Sequence, residues 1–205
     1  MTNEIKQLGM PFFLSLTKGE KAEGLRISLI MEAHSGDYNG VLIGGLFSGT
    51  DKGDKVDKEK NFSERGNLKG VNINGMFGYI EGNLEGLNCS GCISYNKGSI
   101  KGIQLGGLVS HVGGDLNGFS AGGAISYIGK KLNGFSYGTI CNHAGKNGKI
   151  AIQFGFINNI TEYNENGTVI QVGFYNKAGN QSIPIINFRG LKNLKRKSLE
   201  KTIEE

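Results

Sequence analysis

Apolar and polar residues alternate over short stretches of this chain, break at paired small residues, and then repeat the whole figure every sixteen residues. Five consecutive segments, starting at Leu68, Leu84, Ile100, Leu116 and Leu132, share the pattern L-x-G-φ-x-φ-small-small-φ-φ-x, where φ is apolar. Numbered from those residues, position 3 is always glycine (Gly70, Gly86, Gly102, Gly118, Gly134). Positions 4 and 6 are apolar or nearly so (Val71/Ile73, Leu87/Cys89, Ile103/Leu105, Phe119/Ala121, Phe135/Tyr137), and position 5 between them is Asn72, Asn88, Gln104, Ser120 or Ser136. Such alternation predicts a short strand with one buried face, the apolar one.

Positions 7 and 8 are small (Asn74-Gly75, Ser90-Gly91, Gly106-Gly107, Gly122-Gly123, Gly138-Thr139), which predicts a bend or bulge between two apolar pairs. Each unit ends in turn residues: Glu81-Gly82-Asn83, Lys97-Gly98-Ser99, Gly113-Gly114-Asp115, Gly129-Lys130-Lys131 and Gly145-Lys146-Asn147. The frame extends upstream through Tyr38–Phe47 and Gly24–Ser28, and downstream through Ile152–Asn158 and Ile170–Asn176 with one and two inserted residues. About ten units result, enough for a repeat fold.

Two all-β architectures can use such a period. In a β-solenoid each unit is one coil, equivalent residues stack in ladders ~4.8 Å apart, and ten coils make a rod of roughly 45 Å. In an antiparallel up-and-down β-barrel each unit is one strand and one hairpin turn; Val71, Ile73, Gly75, Phe77 and Tyr79 then line one face and Gly70, Asn72, Asn74 and Gly78 the other. The constancy of the period favours the solenoid, because a coil must match its neighbour's length and hairpin turns need not. Residues 1–188 read as one repeat domain with a loop insertion at 51–66. Residues 189–205 read as a basic tail that can form a short helix, with Leu191, Leu194, Leu199 and Ile203 on one broad face, capping the last coil. Pro11 and Pro184 lie near the two ends of the array, where a missing ladder donor blunts an edge.

Charge narrows the partners. Of the formal +5, the tail from Arg189 carries +3, from six basic and three acidic residues, so the repeat body has no basic stripe of the kind that tracks a phosphate backbone. Nucleic acid is therefore not expected as a partner. The 35 glycines are about twice the usual share but follow no every-third rule, which excludes collagen. The first residues lack a signal-peptide pattern, and three cysteines fit a reducing compartment, so a cytoplasmic location is expected. No apolar run is long enough for a membrane-spanning helix.

The copies φ-Gln-φ-Gly-φ-φ-Asn at 152–158 and 170–176 resemble the short repeats of the spirochaete-type surface repeat-containing protein family. Gly24-Leu25-Arg26-Ile27-Ser28-Leu29-Ile30 is similar to that family's opening segment, and Ile183-Pro184-Ile185-Ile186-Asn187-Phe188 to its closing one. The resemblance covers about residues 11–188. It implies a structural or interaction protein with no catalytic residues, and a cell-surface location, although the family's usual signal peptide is missing and the central copies carry Gly-Gly or Ser-Gly where the family has Gly followed by an apolar residue.

Motifs with chemical potential fall into the repeat columns. Cys89-Ser90-Gly91-Cys92 is a C-x-x-C, yet Cys89, Cys92 and Cys141 all occupy apolar positions and read as core filling. His111 and His143 share position 12 with Tyr79, Tyr95 and Tyr127, which predicts an aromatic ladder with the two imidazoles two coils apart, too far for one metal ion. His34 has no partner in the pattern. Gly113-Gly114-Asp115-Leu116-Asn117 occurs once and is no calcium repeat, and Gly145–Lys149 lacks the Ser or Thr of a phosphate loop.

Two segments escape the repeat: the loop with Asp51, Asp54, Asp57 and Glu59, and the tail with Lys192, Lys195, Arg196 and Lys197. The loop's carboxylates sit beside lysines without the ligand order of an EF-hand, so an exposed loop is expected in place of a cation site, and both segments are candidates for partner contact. No catalytic, cofactor or metal site is expected. The function expected is that of a non-enzymatic structural or interaction protein presenting a rigid β surface to a protein or surface partner. A membrane-inserted or surface-associated β-barrel is the alternative, and a polysaccharide-acting repeat protein the third reading, for which the clustered carboxylates are lacking.

Overall fold

A computed structural model of the chain describes residues 6–8, 14–51 and 66–190. They form a stack of about nine turns of mostly parallel β-solenoid, with strands joined by bends and turns and no helix among them. In the regular part each coil contributes a seven-residue strand, a bend, and a four-residue strand: β5 (Leu68–Asn74) and β6 (Phe77–Ile80), β7 (Leu84–Ser90) and β8 (Ile93–Asn96), β9 (Ile100–Gly106) and β10 (Val109–Val112), then β11 (Leu116–Gly122). β3 (Met31–Gly44), β12 (Ile125–Gly138) and β13 (Cys141–Phe154) run through the turn and so carry the second strand of one coil and the first of the next.

Pairing follows the sixteen-residue frame. Leu84 stacks on Leu68 and Ile100, Gly86 on Gly70 and Gly102, and Tyr95 on Tyr79 and His111, all in parallel register. Neighbouring strands are parallel, which excludes the up-and-down barrel for these residues. The upstream copy joins with Gly24 on Gly40, and the downstream copies with Ile152 on Phe135 and Gln171 on Gln153. The extra residues are absorbed by register shifts between Ile128 and Lys131 and between Leu132 and Gly134, and by the turn at Asn164–Gly167.

Position 3 explains its glycine. Gly70, Gly86, Gly102, Gly118 and Gly134 have φ between 136° and 145°, a region closed to residues with a Cβ, and a Cβ on each would fall on the carbonyl oxygen of the glycine one coil below. The chain bends at 75–76, 91–92, 107–108, 123–124 and 139–140, where the paired small residues predict it. The second turn is a bend at 81–82, 97–98 and 113–114, but Gly129-Lys130-Lys131 and Gly145-Lys146-Asn147 continue as strand.

The interior has two halves. Leu68, Leu84, Ile100, Leu116 and Leu132 at position 1 face Ile80, Val112, Ile128, Ala144 and Ile160 at position 13, all buried, and form the hydrophobic core, with buried Asn96 as the one polar member of the second column between Ile80 and Ile160. Toward the glycine bend the interior is polar: Asn72, Asn88, Gln104, Ser120, Ser136, Gln153 and Gln171 on one strand face Ser94, Ser110, Ser126, Asn142, Asn158 and Asn176 on the other, and every one is buried. This corrects the expectation that the apolar side of the alternation is the buried one. Positions 4 and 6 point outward, and position 5 points in.

The polar half is held together by hydrogen bonds. Gln104 Nε2 donates to the carbonyls of Ser94 (3.0 Å) and His111 (2.8 Å) and reaches Ser110 Oγ at 3.1 Å. From Ser110 the chain runs to Ser120 (2.8 Å), Ser126 (3.0 Å), Ser136 (3.0 Å) and Asn142 Oδ1 (3.1 Å), crossing between the two strands of the coil at each step. Asn142 Nδ2 then donates to Asn158 Oδ1 (2.8 Å), and Asn158 Nδ2 to Asn176 Oδ1 (2.7 Å). A buried polar group costs about 1–3 kcal/mol when left unpaired, so these bonds offset part of the cost of this interior; Asn88 Nδ2, Ser94 Oγ and Gln104 Oε1 are buried there without a side-chain partner among the described residues.

The C-terminal end is closed by β16 (Gln181–Arg189), antiparallel to β15 (Thr168–Ala178). Asn187 Nδ2 donates to Gln171 Oε1 at 2.8 Å and extends the polar column into this strand, and Pro184 lies on it. The cap among the described residues is therefore a strand. The helix expected at 189–205, and most of that tail, fall outside them. At the other end β1 (Lys6–Leu8) pairs antiparallel with β2 (Leu14–Ser28).

Candidate binding edge

The outward columns around the glycine bend are apolar. Position 4 is Val71, Leu87, Ile103, Phe119 and Phe135; position 6 is Ile73, Cys89, Leu105, Ala121 and Tyr137; position 9, at the crest of the bend, is Met76, Cys92, Leu108, Ala124, Ile140, Phe156 and Phe174; position 10 is Phe77, Ile93, Val109, Ile125, Cys141, Ile157 and Tyr175. None of them is charged. The most exposed members stand on the crest, where Leu108, Ile140 and Phe156 are each 57% exposed and Phe174 70%, while Cys92 and Ala124 of the same column are half-buried. The strip spans about 30 Å of rod and lies on both sides of a convex edge, a continuous apolar surface of the kind that marks an interaction site.

Position 12 borders this strip with the expected ladder. Tyr79, Tyr95, His111, Tyr127 and His143 stack face to face, with ring centroids 5.6, 4.5, 4.9 and 4.8 Å apart in turn. Partial burial lowers the pKa of both imidazoles below the ordinary value. Asn159 Nδ2 lies 3.0 Å from His143 Nδ1, a bond in which the neutral ring nitrogen accepts. Further stacks run along other columns: Phe47 on Phe77, Phe119 on Phe135, and Phe156 on Phe174.

The three cysteines belong to this edge. Cys89, Cys92 and Cys141 are free and half-buried on the outer columns, which corrects their assignment to core filling. Burial raises the Cys141 thiol pKa, away from thiolate chemistry. His34 is fully buried, packed on Tyr38 with centroids 5.4 Å apart, and burial followed by the Arg26 charge lowers its pKa.

The opposite turn is polar and charged on the outside. Asn67, Asn83, Ser99 and Asp115 each accept the backbone N–H one coil further on: Asn83, Ser99, Asp115 and Lys131 donate at 2.7, 2.8, 3.0 and 3.1 Å. This column of side-chain acceptors at position 16 escaped the sequence reading, although the run Asn, Asn, Ser, Asp at a fixed spacing is its signal. Ion pairs stack with the same spacing: Glu81 with Lys97 (3.2 Å), Glu85 with Lys101 (3.1 Å) and Lys69 (3.8 Å), and Lys146 with Glu162 (3.4 Å).

A shallow groove of about 410 Å³ lies along this rim, lined by Asn67, Lys69, Asn83, Glu85, Ser99 and Lys101 among others. Its one carboxylate, Glu85, is held below the usual carboxylate range by the hydrogen bond from Lys101 and by the charges of both lysines, so the groove offers no pair of carboxyl groups with divergent pKa values. No three His, Cys, Asp or Glu come together as metal ligands among the described residues.

Of the candidate contact residues, only Asp51 is described. It ends β4 (Phe47–Asp51) on the charged rim, and the chain re-enters the stack beside it at Gly66, whose carbonyl accepts from Thr50 Oγ1 and from the Gly82 N–H. The insertion thus leaves and returns at one point of the rim. Asp54, Asp57, Glu59, Lys192, Lys195, Arg196 and Lys197 lie outside the described residues.

No protein-family model, no curated protein and no solved structure matches the chain. The likeness to the spirochaete-type surface repeats rests on the quoted segments alone. No helix among the described residues is long and apolar enough to cross a membrane, which does not bear on contact made by strands.

Proposed function

We propose that this chain is a non-enzymatic binding rod that acts through its apolar edge. The observation that carries the reading is the reversal of polarity around the glycine bend: Ser120 and Gln104 are fully buried while Leu108, Ile140 and Phe156 are more than half exposed. Exposing apolar columns over so long a surface costs solubility unless something covers them. A rigid stack of parallel coils presents those columns at fixed spacing without reorganisation, which suits binding more than turnover.

The test is binding of an apolar dye such as bis-ANS by the folded chain, against a variant carrying Leu108→Asp, Ile140→Asp and Phe156→Asp. Strong dye binding by the wild type, lost in a variant with unchanged circular dichroism, supports the reading. Absence of dye binding by the folded wild type overturns it, as does an enzymatic activity mapped to a column residue. Leu108→Ser alone serves if the triple variant does not fold.

A further inference from the structure

We infer that the partner of the apolar edge is a lipid surface, into one leaflet of which the glycine bend is inserted with the rod lying in the membrane plane. The inference rests on the binding-edge reading above and adds the occupant. Its first ground is backbone satisfaction. Hydrocarbon supplies no hydrogen bonds, so any backbone entering it must be paired internally. At the crest the amides of Met76, Cys92, Leu108, Ala124, Ile140 and Phe156 donate to the coil before at 2.8–3.1 Å, and no charged side chain stands among them.

The second ground is the polar interior. Side-chain amides inside the rod cap backbone carbonyls close to the same bend: Asn142 Nδ2 donates to the carbonyls of Gly138 (3.2 Å) and Phe154 (2.6 Å), and Asn158 Nδ2 to those of Gly155 (3.0 Å) and Val172 (2.9 Å). Polar-in and apolar-out is how β structure faces lipid, where an apolar interior brings no advantage over the solvent outside.

Shape and charge complete the argument. The strip occupies both sides of a convex ridge and is most exposed at its crest, so a flat partner or a second copy would cover one side and leave the other. Fluid lipid covers both. From position 4 to the crest is about 16 Å along the strand, close to the ~15 Å of one leaflet's hydrocarbon. The Tyr79–His143 ladder lies about 10 Å from the crest on the other side of the bend, in the outer third of that leaflet, where rings with a polar edge can reach toward the interface. The rim beyond alternates sign, with Glu85 between Lys69 and Lys101 and Glu81 beside Lys97, which complements a zwitterionic headgroup layer better than an anionic one.

The chain has no tryptophan, so one introduced residue is a clean reporter. Full-length chains with Leu108→Trp or Lys101→Trp are mixed with phosphatidylcholine vesicles, with and without brominated acyl chains, and floated. The expected result is co-flotation, a blue shift and bromolipid quenching for Leu108→Trp, no quenching for Lys101→Trp, and a loss of partitioning of at least about tenfold on adding Ile140→Asp and Phe156→Asp. Binding that requires anionic lipid overturns the inference. So does a chain that ignores vesicles yet binds dye and dimerises through the edge, which leaves the binding-edge reading intact. A chain that binds neither vesicles nor dye overturns both.

Discussion

Ser110 and Ser120 share a hydrogen bond of 2.8 Å across the interior of the rod, while their chain neighbours Val109 and Phe119 face outward. The relationship is repeated by Ser126 and Ser136 one coil on, and it inverts the usual placement of polar and apolar residues over half of each coil. Stability on that side comes from pairing among buried polar groups and from coil-to-coil backbone bonds, and on the other side from the mainly aliphatic columns at positions 1 and 13.

Replacement inside should therefore cost more than replacement outside, even when the inner change is to an apolar residue. Gln104→Leu leaves the carbonyls of Ser94 and His111 without their side-chain donor and is expected to destabilise by about 2–4 kcal/mol. Leu108→Ser, on the crest, should stay within about 0.5 kcal/mol of wild type. Denaturant unfolding of the two variants under lipid-free conditions measures the difference.

The glycines of position 3 give a second comparison. In Gly102→Ala the new Cβ meets the Gly86 carbonyl oxygen and the residue is held at φ 145°, so a loss of about 3 kcal/mol or more is expected. Gly24 has φ 113° but nothing within 4 Å of its missing Cβ, and Gly24→Ala should cost only the backbone strain, about 1–3 kcal/mol. Thermal unfolding of the two variants should rank them in that order.

The stacked imidazoles make stability depend on pH. The folded pKa of His111 and of His143 lies below the ordinary 6.5, so the unfolded chain binds protons first as the pH falls. Their contribution is present above pH 6.5 and is lost as the pH falls from there through the folded values. The double variant His111→Tyr, His143→Tyr keeps the ladder and should flatten that part of the profile, read as the unfolding midpoint at pH 7.5 and at pH 5.5. An unchanged slope would mean that these two rings do not titrate on unfolding.

The period, the bend at the paired small residues and the Tyr/His ladder were legible in the sequence because each depends on spacing alone. Which face is inside was not. Alternation assigns Val71 and Ile73 to one side and Asn72 to the other, and it takes the hydrophobic effect to choose between them. That choice fails where the polar side can pair with itself, as Asn72 does with Asn88 at 3.0 Å and with Ser48. The same column argument puts Cys89, Cys92 and Cys141 inside, and they lie half-buried on the outer columns for the same reason. The position-16 acceptor ladder was missed because Asn67, Asn83, Ser99 and Asp115 read as turn residues, and their partners one coil away are visible only once the coils are stacked.

The inverted edge is tested most directly by thiol accessibility. In a background with Cys89→Ser, Cys92→Ser and Cys141→Ser, a single cysteine is placed by Leu108→Cys or by Ser120→Cys, and labelling by a soluble maleimide is timed in the folded, lipid-free chain. The structure predicts that Leu108→Cys reacts at a rate close to that of the denatured protein and that Ser120→Cys reacts only on unfolding. Rapid labelling of Ser120→Cys with protection of Leu108→Cys would contradict it.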